Sequence, residues 1–92
     1  MVKMEKEWEE LIKIGVTKED ITKIKKMSAD AKDKCVCRTD RVLMSSCAYL
    51  VVYFKGRHER IPQSTIGDIF HCTTASMRDC IRALAEKGVV DM

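Results

Sequence analysis

The side chains best suited to recognition chemistry lie near the C-terminus. Thr74, Ala75, Ser76, Asp79 and Arg82 fall on the outward side of a helical repeat whose inner side is Met77, Ile81 and Leu84, with Arg78 at the margin. Arginine can fork onto the edge of a guanine, serine and threonine can take base edges or phosphates, and a helix N-terminus attracts a phosphate. A second group is the basic run Lys55-Gly56-Arg57-His58-Glu59-Arg60, in which Lys55, Arg57 and Arg60 are the candidate phosphate contacts.

Thiol chemistry is the next possibility. The five cysteines are Cys35, Cys37, Cys47, Cys72 and Cys80, an odd number that points to free thiols in a reducing compartment. Cys35 and Cys37, with His71 and Cys72, could in principle make a four-ligand zinc site. The plainer reading puts Cys47 and Cys80 in the core and leaves the others incidental, so no metal and no cofactor is expected. No catalytic set is expected either. His58 and His71 sit in a connector and a turn, there is no paired carboxylate at readable spacing, and there is no glycine-rich phosphate loop.

Five helices must position these residues. Ninety-two residues make one domain with a thin core, and 46% hydrophobic with 34% charged residues is the balance of a folded chain. Met4, Trp8, Leu11 and Ile12 form one stripe on a first helix ending near Gly15. Thr17 opens a second, with Glu19 and Asp20 in its first turn and Ile21, Ile24, Met27 and Ala31 on its buried face among many lysines. Thr39 or Asp40 caps a third, which runs to Gly56 and is apolar nearly all round in its second half, as a central buried helix would be.

Pro62 is preset for the first turn of a fourth helix, with Ile66, Ile69 and Phe70 on its apolar side. Thr73 and Thr74 cap the fifth, which ends at Gly88, and Val89-Val90 could begin a strand. The last two helices, joined by about three residues, have the layout of a helix-turn-helix. Gly67 lies where they must cross closely, and His71 takes the turn position that favours glycine. A winged helix is the rival fold, but it needs a wing after Gly88.

Residues 45–85, SSCAYLVVYFKGRHERIPQSTIGDIFHCTTASMRDCIRALA, carry a family resemblance. The run Ala48-Tyr49-Leu50, the connector Lys55–Arg60, the segment Gln63–Asp68 and the segment Thr73–Arg78 resemble the last three helices of a cyclin-like repeat of archaeal transcription factor B and eukaryotic transcription factor IIB. That resemblance implies a five-helix cyclin-like bundle around the buried helix Thr39–Lys55. It also implies that the last two helices face duplex DNA, as the family's second repeat does beside the TATA box. Carried over position by position, the contacts are Ala75, Ser76 and Arg78, with Arg82 one turn further on. The family has two repeats, a zinc ribbon and a further basic residue where this chain has Cys80. A single-repeat regulator, or one domain of a longer chain, is therefore expected rather than a general initiation factor.

The expected function is thus a DNA-binding, transcription-related domain, partnered by double-stranded DNA and in some settings by the transcription machinery or a second copy. The alternative is a protein-interaction module of the same fold without direct DNA binding, in which Met4 and Trp8 are a contact face rather than core. The net charge of +3 permits a polyanion partner without demanding one. No apolar run is long enough for a membrane span and no secretory leader is read, so the expected location is cytoplasmic, or nuclear in a eukaryote.

Overall fold

A computed structural model describes residues 5–36, 39–57 and 59–91. Met4, Cys37 and His58 lie outside them. The described residues are all-α, with five helices in the order α1 (Glu5–Lys13), α2 (Lys18–Asp33), α3 (Asp40–Phe54), α4 (Gln63–Phe70) and α5 (Thr74–Glu86). Helix α3 is the centre: α2, α4 and α5 each pack on it, and α1 lies against α4. The small residues Ser45, Ser46, Cys47 and Ala48 are fully buried and let the neighbouring helices approach. Ser46 Oγ lies 2.7 Å from the Val42 carbonyl and 3.3 Å from that of Met77, so its one proton satisfies a buried hydroxyl and ties α3 to α5.

Starts and stops follow local rules. Thr17 and Asp20 make a reciprocal capping box at α2, while Thr39 and Thr73 cap α3 and α5 with their hydroxyls. All five helices end alike, in a left-handed residue followed by an N–H that reaches back five residues to a helix carbonyl. The left-handed residues are Gly15, Cys35, Gly56, His71 and Gly88. The closing bonds are Val16 to Leu11 (2.9 Å), Val36 to Ala31 (3.0 Å), Arg57 to Val52 (3.0 Å), Cys72 to Gly67 (2.8 Å) and Val89 to Leu84 (2.9 Å).

Several expectations need correction. Ile12 leaves the buried stripe and is 44% exposed. Leu11 is fully buried, and the next residue lies a hundred degrees round the helix. The end of α3 is not buried all round either: Leu50, Val51 and Val52 face the core, but Tyr53 and Phe54 are 42% and 52% exposed. Pro62 stands at the N-cap with extended backbone, one place before the first turn of α4. Val89 and Val90 form no strand; Val90 instead folds back into the core, and no strand occurs among the described residues.

Cys47 and Cys80 are fully buried core residues. Burial first, and Cys80 second, push the Cys47 thiol up to about 12, so it stays protonated and inert. Of the zinc candidates, Cys35 and His71 are exposed, Cys72 is half-buried, and no group of three possible ligands gathers among the described residues.

Candidate nucleic-acid interface

The pair α4–α5 is built by two backbone devices. The first is Gly67, whose missing Cβ would lie 2.7 Å from the Cys72 carbonyl oxygen and 3.2 Å from Met77 Sδ. The close backbone partner is the turn at Cys72 rather than α5 itself, which meets Gly67 through the Met77 side chain; the tight approach expected at Gly67 is therefore turn against helix. The second is His71, at φ 57° and ψ 42°, which turns the chain sharply so that Thr73 can cap α5 two residues later. Gln63 Nε2 donates to the Thr74 carbonyl at 3.3 Å, joining the start of α4 to the start of α5.

Buried Met77, Cys80 and Leu84 hold α5 to the bundle, with Ile81 half-buried beside them. The opposite face presents Thr74, Ala75, Ser76, Arg78, Asp79 and Arg82, all exposed. At 100° per residue, Ala75, Asp79 and Arg82 lie along its middle and Arg78 at its edge. Among the described residues neither arginine is in an ion pair, although Asp79 stands beside both. At the tip, Thr73 Oγ1 accepts from the Ser76 N–H at 3.1 Å and donates to Ser76 Oγ at 2.9 Å. The Ser76 hydroxyl is thus oriented by the cap, and the positive end of the helix dipole faces outward beside it.

The connector residues divide. Lys55 and Arg57 do not stand free for phosphates. Lys55 Nζ pairs with Asp20 Oδ1, and Arg57 reaches Asp20 Oδ2 at 3.3 Å and the Gly15 carbonyl at 3.4 Å. Asp20 is only 2% exposed. Burial alone would raise its pKa, but the Lys55 hydrogen bond, the Thr17 backbone and hydroxyl and the Lys55 charge outweigh it and hold the carboxyl below its ordinary value. These two cations therefore staple the start of α2 to the end of α3. Arg60 is exposed and carries no ion pair among the described residues, so it alone of the three remains available.

Sequence reasoning missed Arg41. Its Nη1 lies 3.5 Å from Glu7 Oε1 and 3.4 Å from the carbonyl of Phe70, the last residue of α4, where it neutralises a buried acid and complements the helix end. Trp8 of α1 meets Phe70 edge-on with ring centroids 6.0 Å apart, so the indole packs against the last residue of α4. The Arg41 contacts span 34 and 29 residues of sequence, and no local pattern announces them. No family model matches this chain, and neither does any curated protein or solved structure.

Proposed function

We propose that this domain binds duplex DNA through α4 and α5, with α5 entering the major groove. The observation that carries the reading is the outward face of α5, where Arg78 and Arg82 stand one turn apart, exposed and unclaimed by any acid among the described residues. In this arrangement Arg78 and Arg82 reach base edges. Thr74, Ser76 and Arg60 meet the backbone, and Ala75 lets the helix approach closely. Asp79 suits the amino group of a cytosine. The likeness of residues 45–85 to a cyclin-like transcription-factor repeat supports a role in transcription. It also supports reading the bundle as one such repeat.

The test is binding of the domain to duplex DNA across a salt series, beside Arg78→Ala and Arg82→Ala variants. Binding should fall as salt rises, and each variant should lose about 1–3 kcal/mol with a relaxed sequence preference. A loss equal on every sequence makes that arginine a phosphate contact. Absence of binding at low salt overturns the reading and moves the function to a protein partner.

A further inference from the structure

An open trough of about 670 Å3 runs between α2 and the end of α3. Its floor is apolar: Met27 from α2, Val51 and Phe54 from α3, and Val89 beyond α5. Phe54 is the most exposed large hydrophobic residue described, at 52%, with the Tyr53 ring edge-on beside it. The rim is charged in order along α2, with Lys23 and Lys26 first and Asp30 and Asp33 after them. Ten residues of α2 separate Lys23 from Asp33, about 15 Å or nearly three helical turns. Among the described residues no buried polar group lines the floor, which therefore offers none of the fixed donors and acceptors of a small-molecule site.

We infer that this trough docks an amphipathic helix from a protein partner, acidic in its first turns and basic in its last, lying alongside α2 in the same direction. The charge order is the argument. Helices favour acids at the start and bases at the end because of their dipole, and α1 of this chain is built so, with Glu5 and Glu7 first and Lys13 last. A helix of that kind sets its acids against Lys23 and Lys26 and its bases against Asp30 and Asp33, while its apolar face covers Phe54. The walls are helices, and no strand edge is on offer among the described residues, so an extended segment would leave its backbone unpaired. Helices α2 and α5 pack on α3 separately, so the inference does not rest on the DNA reading.

The probe is a pair of stapled, fluorescein-labelled synthetic helices of about four turns with leucines on one face. One carries glutamates first and lysines last, and the other has the reverse order. The acid-first helix should bind and shift the methyl signals of Met27, Val51 and Val89, with the reversed helix at least about tenfold weaker. Phe54→Ser should abolish binding, and the double variant Lys23→Glu/Lys26→Glu, changed only at exposed positions, should remove or invert the preference. Equal affinity for both helices overturns the inference, as does a trough whose methyl signals stay unmoved at about 1 mM peptide. Sedimentation as a dimer that Phe54→Ser dissociates also overturns it, assigning the face to a second copy.

Discussion

Lys55 and Arg57 close on a carboxylate that is 2% exposed, whereas Arg78 and Arg82 stand on α5 with no acid in ion-pairing reach among the described residues. All four side chains are cationic, one group just before the α4–α5 pair and the other on α5, yet one group is structural and the other is open to a ligand. What separates them is a single buried acid. Asp20 must be paired because an isolated carboxylate taken out of water is costly, and it recruits the two nearest cations from the connector. Nothing buried on the bundle side of α5 makes a similar demand, since Met77, Cys80 and Leu84 are uncharged. Charge composition therefore counts cations without saying which are free.

The largest expected effect tests the clamp. Asp20→Ala removes half of the α2 capping box and the partner of two cations at once, and should lower the unfolding free energy by about 2–3 kcal/mol. That figure allows for Lys55 and Arg57 being partly solvated. The pH dependence gives a second handle. The folded carboxyl titrates below its ordinary value of 3.8, so the unfolded chain binds more protons near and below that pH. The stability it contributes is complete above about 4 and fades as pH falls through the depressed folded value, and Asp20→Asn should flatten this acid limb. A cost under about 1 kcal/mol in urea unfolding would reduce the clamp to an ordinary surface pair.

The next effect separates the two groups directly. Arg78→Ala should weaken DNA binding by about 1–3 kcal/mol while leaving stability within about 0.5 kcal/mol. Arg57→Ala should do the opposite, lowering the melting temperature and leaving affinity at a given salt nearly unchanged. Titrations and melting curves on both variants check this, and a loss of affinity in Arg57→Ala with an unmoved melting temperature would erase the distinction. Within the helix pair, Gly67→Ala comes after these. A helix gains up to about 1 kcal/mol from alanine over glycine, but the added Cβ meets a backbone oxygen that cannot swing away. The net should be a loss of about 1–2 kcal/mol in thermal unfolding.

What could be read in the sequence was what is decided within a few residues. The caps Thr17 and Thr73, a cap at Thr39 or Asp40 that the structure gives to Thr39, the stops Gly15, Gly56 and Gly88, the need for a missing Cβ at Gly67 and the buried Cys47 and Cys80 all follow from local chemistry or period. The outward face of α5 was legible for the same reason, because period alone separates it from Met77 and Leu84. The partners of charge were not. Asp20 meets Lys55 and Arg57 across 35 and 37 residues, and its place in a first turn reads only as a dipole complement. The exposure of Tyr53 and Phe54 was hidden too, since an apolar run tells what wants covering but not whether a neighbour reaches that far. The stop of α2 at Cys35 carries no glycine to announce it, and the cost of that left-handed turn falls on the fold instead.

The smallest expected effect concerns the other stop without glycine. His71 holds φ 57°, a conformation that costs an L side chain about 1 kcal/mol relative to glycine. Its side chain is exposed and carries no hydrogen bond among the described residues, so little is lost by removing it. Glycine raises the entropy of the unfolded chain, which takes back part of the gain. His71→Gly should therefore raise stability by about 0.5–1 kcal/mol, a rise of a few degrees in melting temperature for a domain of this size. The same variant sharpens the contrast between the two regions. The α4–α5 pair depends on backbone geometry, so relieving its turn should stabilise the fold and leave salt-dependent DNA binding intact. If stability rises while DNA binding falls, the imidazole itself faces the ligand and the interface extends from α5 back into the turn.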